Sequence, residues 1–211
     1  MLKCFVIIET MGKKILGIIG SYRKGGVIDT LVSEVLASAE EQGALTSKIY
    51  LKDSLIEFCT NCRKCTQEKG SGPGNCIHND DMKTILAQYK DADAIVFGAP
   101  VNFYNVNAVT RRFIERLVCF SYWPWGTRGG SELRTKARTK KAVLITSSAA
   151  PAIFGRMFTG ALRALRIAVK TMGARPVATM FVGMIAVHER ASVPPKAMRR
   201  AKEVGYSLAT R

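Results

Sequence analysis

Apolar residues along this chain fall into short unbroken runs that alternate with stretches of helical spacing. The run from Lys14 to Ile19 is rich in β-branched residues and stops at Gly20, the pattern of a strand buried on both faces. From Asp29 onward, Leu31, Val32, Val35, Leu36 and Ala39 recur at helical period, and Gly43 closes that helix. Thr46 to Leu51 predicts a second strand, and Glu57 to Asn79 a loop rich in cysteine and glycine. Asp80 can cap a helix that carries Met82, Ile85, Leu86 and Tyr89. Ala94 to Phe97 is the third strand, ended by Gly98-Ala99-Pro100, and Val106 to Cys119 is helical with Val109, Phe113, Ile114 and Leu117 on one face. Phe120 to Thr139, with its Trp-Pro-Trp-Gly and Gly-Gly segments, reads as a long irregular connection. Ala142 to Thr146 is the fourth strand, Phe154 to Met172 a basic amphipathic helix, Val177 to Val182 the fifth strand, and Pro194 to Ala209 a last helix.

Strand and helix thus alternate five times with no strong linker. That order demands right-handed crossovers and predicts a doubly wound, five-stranded parallel sheet with helices on both faces. It is read as one domain over residues 1–211, with residues 1–12 as an N-terminal extension ahead of the first clear strand. Ligands of such a sheet sit outside the carboxyl ends of the strands, where the strand order reverses.

Composition changes this picture in two ways. The 211 residues, 47% hydrophobic and 23% charged, suit one soluble α/β unit, and no apolar run is long enough to span a bilayer. The N-terminus lacks the layout of a secretory signal, so a cytoplasmic protein without a membrane partner is expected. The net charge of +16 favours anions: nucleotide phosphates, an acidic partner or nucleic acid. Nucleic acid is the least favoured of these, since no recognition helix or motif accompanies the charge. Of the six cysteines, Cys59, Cys62, Cys65 and Cys76 lie within eighteen residues, which points to metal, cluster or redox chemistry; Cys4 and Cys119 read as small buried hydrophobes.

Three loops at strand ends carry candidate chemistry. Gly20-Ser21-Tyr22-Arg23-Lys24-Gly25-Gly26 offers close-approach glycines, a hydroxyl, two cations and a helix start, the parts of a phosphate site. Pro100-Val101-Asn102-Phe103-Tyr104-Asn105-Val106 is apolar and aromatic with interspersed amides, which suits a flat heteroaromatic ring. Ser147 and Ser148 after the fourth strand add hydroxyls. The four clustered cysteines can surround a [4Fe–4S] cube, bind zinc, or remain free thiols, with Arg63 and Lys64 placed to lower thiolate pKa values. His78, just beyond them, can serve as a further ligand, but a solvent-facing loop residue is the favoured reading. Trp123 and Trp125 fit a lid, a subunit contact or a local anchor.

Gly20-Ser21-x-Arg23-x-x-Gly26, Cys62-x-x-Cys65, Asp80-Asp81-Met82, Ala94 to Val101, Asn105-Val106 and Phe113-Ile114-Glu115-Arg116 together resemble the NADPH-dependent FMN reductase and iron–sulfur flavoprotein group over roughly residues 13–118. That resemblance implies a flavodoxin-like fold and an oxidoreductase that passes electrons from NAD(P)H through bound FMN to an acceptor the sequence does not name. It implies FMN phosphate at Ser21, Arg23, Gly26 and the start of the following helix. The group's small polar pair is replaced by Val27 and Ile28, so Asp29, Thr30 and backbone N–H groups become the nearest substitutes. It further implies the flavin ring against residues 100–106 and Ser147-Ser148, a homodimer or homotetramer, and, as an alternative role, electron transfer through a [4Fe–4S] cluster on Cys59, Cys62, Cys65 and Cys76.

Overall fold

The computed structural model describes residues 12–187 and 191–210. Along the chain come β1 (Lys14–Ile19), α1 (Val27–Glu40), β2 (Leu45–Tyr50), α2 (Met82–Asp91), β3 (Ala94–Asn102), β4 (Asn105–Val106) and α3 (Ala108–Arg116). There follow β5 (Ser121–Tyr122), β6 (Glu132–Leu133), β7 (Lys140–Ser147), α4 (Ala152–Phe158), α5 (Ala161–Thr171), β8 (Ala174–Val182) and α6 (Pro195–Thr210).

Strands β2, β1, β3, β7 and β8 pair in that order and all in parallel, while β4 folds back antiparallel on β3. The chain moves from β1 outward to β2 and then returns to the other side of β1, so β1 and β3 flank the reversal point. Successive residues of each strand enter opposite layers. Leu16, Ile18, Ile95, Phe97 and Leu144 pack under α2, α3 and α5, while Ile15, Ile19, Val96, Val143 and Ile145 pack under α1 and α6. The expected doubly wound sheet, covered on both faces, is therefore present.

Three elements differ from the expectation. The helix read over Phe154 to Met172 is two helices, broken at Thr159-Gly160, where the Gly160 N–H donates to Tyr104 O at 2.7 Å. A tertiary contact to the β3–β4 hairpin overrides a continuous apolar period. β8 begins three residues early, before Pro176, because it is an edge strand and its register slips between Ala142 and Val143, where proline is tolerated. The long connection contains the small β5–β6 hairpin. The proposed N-terminal extension, apart from Gly12, lies outside the described residues, as do Cys4 and His188. Among the described residues no helix is long and apolar enough to cross a membrane.

Candidate functional site

The loops after β1 and β3 are tied together by a buried polar knot. Gly20 N–H donates to Gly98 O at 2.7 Å, and Gly20 O accepts from Asn107 Nδ2 at 2.7 Å and from the Thr110 hydroxyl at 3.0 Å. Asn107 also caps α3, its Oδ1 accepting from the Thr110 backbone N–H at 3.2 Å. A Cβ on Gly20 would stand 2.0 Å from Thr110 Oγ1, so the position admits only glycine.

Beyond the knot, residues 21–26 wrap the start of α1. Ser21 is buried, and its hydroxyl accepts from Arg23 N–H at 3.1 Å. Arg23 is exposed, and Lys24 is turned away into an ion pair with Asp53. The first-turn N–H groups of α1 have no intrahelical partners. Asp29 and Thr30, expected as substitute phosphate donors, play another part. The Asp29 carboxylate accepts from Gly25 N–H at 2.7 Å, Tyr50 OH at 3.0 Å, Ser33 Oγ at 3.2 Å and Lys48 Nζ at 3.4 Å. Burial alone would raise its pKa, but the Gly25 N–H, the Tyr50 hydroxyl and Lys48 hold it below the usual carboxylate range. The Thr30 hydroxyl donates to Gly25 O at 3.3 Å. Both side chains brace the loop, and the Thr30 N–H donates to Gly26 O at 2.9 Å, so of these two residues only the Asp29 backbone N–H remains for a ligand. Arg23 and the backbone N–H groups face outward, with the buried Ser21 hydroxyl behind them, and such a donor set is the chemistry a phosphate monoester requires.

The β3 loop is a two-residue hairpin. Val101 pairs with Val106 and Asn102 with Asn105, leaving Phe103 (φ 45°) and Tyr104 (φ 65°) at the turn, both left-handed. That geometry matches the primed hairpin turns in which glycine and asparagine dominate, and each bulky residue held there costs of order 1–3 kcal/mol. The two rings are nonetheless 93% and 68% exposed, edge to face at 6.1 Å. Strained aromatic residues left open beside an anion cradle suit a planar ligand. Pro100 and Val101 are half-buried and Asn102 and Asn105 exposed, but Val106 enters the core. Ser147, which pairs with Pro100, is buried with no partner for its hydroxyl, and the Ser148 hydroxyl donates to Ala150 O. Both serines are buried, at 1% and 3% exposure.

Cys59, Cys62, Cys65 and Cys76 line one small pocket together with Arg116 and His78. All four are free thiols, with Cys62 exposed and Cys65 buried. Among the described residues no three His, Cys, Asp or Glu side chains converge as ligands of a single metal ion. Tetrahedral zinc requires sulfurs about 3.8 Å apart, whereas a cubane spreads its four thiolates over its corners and needs a wider frame. Burial, then the neighbouring Cys76, Cys59 and Cys62, push the Cys65 thiol up, and burial pushes Cys119 up to about 12. The cation serving the thiols is Arg116, whose Nη2 donates to Cys76 Sγ at 3.4 Å. Arg63, expected in that role, also lines the pocket but packs its guanidinium carbon 3.7 Å and 4.1 Å from the ring centres of Trp123 and Trp125. The tryptophans therefore anchor the cysteine loop locally. His78 is not solvent-facing at its Nε2, which is buried without a hydrogen-bond partner.

Arg116 is held in turn by Asp80, in an ion pair whose side chains are 2% and 1% exposed. Asp80 also accepts from Glu57 N–H at 2.8 Å and Met82 N–H at 3.2 Å, and Arg116 donates to Glu57 O at 2.7 Å. Arg134, in the connection before β7, donates to Cys65 O at 2.9 Å and Cys119 O at 3.0 Å, so it belongs to this frame.

Residues 13–189 match the family described as NADPH-dependent FMN reductase. The chain belongs to this family. It is 31% identical over 120 residues to an iron–sulfur flavoprotein of Archaeoglobus fulgidus, covering 56% of this chain and 52% of that protein. A second iron–sulfur flavoprotein, from Methanocaldococcus jannaschii, is 37% identical over 103 residues, covering 49% and 51%. The chain thus spans about half the length of the curated relatives it matches. Among solved structures, an NAD(P)H:quinone oxidoreductase from Methanothermobacter marburgensis superposes with TM-score 0.69 at 16% identity, covering 93% of this chain and 99% of that one. An FMN-dependent NADH-azoreductase from Bacillus anthracis, in complex with FMN, gives 0.67 at 15% identity, covering 95% and 100%. These two likenesses show the shared flavodoxin-like fold.

In this member of the FMN reductase family, sequence reasoning missed Asn107, Thr110 and Arg134. Asn107 and Thr110 had a readable signal, because an Asn-x-x-Thr spacing before an apolar face is a helix-cap pattern. Arg134 had none, since its acceptors are backbone carbonyls up to 69 residues away.

Proposed function

We propose that the chain is an FMN-dependent oxidoreductase that takes electrons from a nicotinamide nucleotide and delivers them to a separate acceptor. The observation carrying this reading is the knot at Gly20, which couples an all-donor anion cradle to a strained, exposed aromatic hairpin. Ser21, Arg23 and the first N–H groups of α1 would hold the phosphate, and residues 100–105 the ring. Bound FMN would supply a carrier for electron pairs, and the protein's part is to orient it and limit water around it. Among the described residues no side chain near the loops is arranged as a nucleophile–base pair, and this chemistry needs none. The exposed Ile153, Phe154, Met157 and Phe158 of α4, joined to the hairpin through Gly160, support a homodimer or homotetramer that covers this face. The free cysteines suit a reducing cytoplasm.

The test is the spectrum and activity of the purified protein. It should be yellow, carry FMN and oxidise NADPH or NADH when an acceptor is added. Arg23→Ala should weaken FMN binding about tenfold, the loss of one charge-assisted contact. A colourless protein without affinity for FMN contradicts the proposal.

A second reading adds a [4Fe–4S] cluster on the four cysteines. It is favoured by the shared pocket, by the Arg116 contact to Cys76 and by the names of the curated relatives. Anaerobic purification should then give about four iron and four sulfide per chain, falling to background in Cys65→Ser. Absence of both under anoxic conditions removes the cluster and leaves the flavin reading intact.

A further inference from the structure

A cavity of 740 Å³ opens well away from the β1 and β3 loops, between α2, the 71–76 loop, the approach to β7 and the α5–β8 turn. This volume suits one small organic molecule. Met82, Leu86, Phe120 and Met172 give it an apolar wall, and Tyr89 and Phe120 present an edge-to-face ring pair at 6.2 Å. Methionine thioethers beside aromatic rings adapt well to a flat, polarisable guest. Lys83, Lys90, Lys140 and Arg116 also line it, and no aspartate or glutamate does. Of these cations, Lys83 donates to Asn79 Oδ1, Lys140 to backbone carbonyls of Lys90 and Ala92, and Arg116 is paired with Asp80. Lys90 is exposed and enters none of the ion pairs among the described residues. Cys76 and Arg116 line both this cavity and the cysteine pocket, so a guest here would lie beside the Cys76 thiol.

We propose that this cavity is a second ligand site, which takes a bicyclic aromatic anion with its ring system among Met82, Tyr89, Phe120 and Met172 and its acidic group at Lys90. The site is independent of the flavin reading, because none of its residues belongs to the phosphate cradle or the aromatic hairpin. It gives the protein a place to hold an anionic aromatic effector beside the cysteine centre.

Calorimetric titration of the purified protein with naphthalene-2-sulfonate tests this. Saturable binding at one site per chain is expected. Ala87→Trp and Ala137→Trp fill the cavity from opposite walls at exposed positions, and each should weaken binding at least about tenfold while leaving FMN uptake unchanged. Lys90→Ala should weaken it and flatten its salt dependence. Wild-type protein that shows no saturable binding overturns the proposal. So does binding that survives both tryptophans, or equal affinity for the uncharged 2-naphthamide.

Discussion

Arg116→Leu is expected to destabilise the protein by about 3–5 kcal/mol, the usual cost of stranding one partner of a buried ion pair. The substitution leaves the Asp80 carboxylate, at 1% exposure, without its cation, and it strips Glu57 O and Cys76 Sγ of a donor. Urea denaturation reads the loss as a lower midpoint at an unchanged slope. Adding Asp80→Leu should recover part of it, because two apolar residues tolerate burial where one orphaned charge does not. Burial pushes the Asp80 pKa up, but the hydrogen bonds from Arg116 and Glu57 N–H win, and it lies below its ordinary 3.8. The pair's stabilisation is therefore fully present above about pH 4 and is lost as pH falls through the lowered folded value. Arg116→Leu should abolish that acid limb. A variant as stable as wild type would show that the cysteine loop is not held from α3.

Gly20→Ala carries the second large effect. Its methyl would stand 2.0 Å from Thr110 Oγ1 and 3.2 Å from Ala99 Cβ, inside a buried knot with no flexible end to yield. Overpacking and loss of a buried hydrogen bond together predict about 3 kcal/mol. Because the knot joins the two ligand loops, FMN affinity should fall about a hundredfold, far more than a distant substitution of equal stability cost would produce. Thr110→Ala removes the clashing oxygen, so the double variant should be less destabilised than the sum of the singles. Additive losses would mean that Gly20 and Thr110 act separately.

The sheet was legible because strands buried on both faces must be continuously apolar, and runs such as Ala142 to Ile145 leave little else to form. The glycine-rich loop between β1 and α1 was legible from its glycines and the helix that follows. Other features were not, for identifiable reasons. The hairpin at Phe103-Tyr104 lacks the glycine or asparagine that signals a primed turn. The α4–α5 break was hidden by apolar residues that keep helical period while facing outward on α4. Asp29 looked like a ligand because its partners Lys48 and Tyr50 arrive from β2. Arg63 looked free beside the cysteines because the tryptophans that clamp it lie some sixty residues on. Local chemistry was readable at these places; the long-range partner that redirects it was not.

The most direct test of the central claim compares FMN with riboflavin, which has the same ring but no phosphate. Flavin-free protein should quench the fluorescence of one FMN per chain and bind riboflavin about a hundredfold more weakly, the difference carried by Ser21, Arg23 and the first turn of α1. Equal affinity for the two flavins, or none for either, would contradict the account.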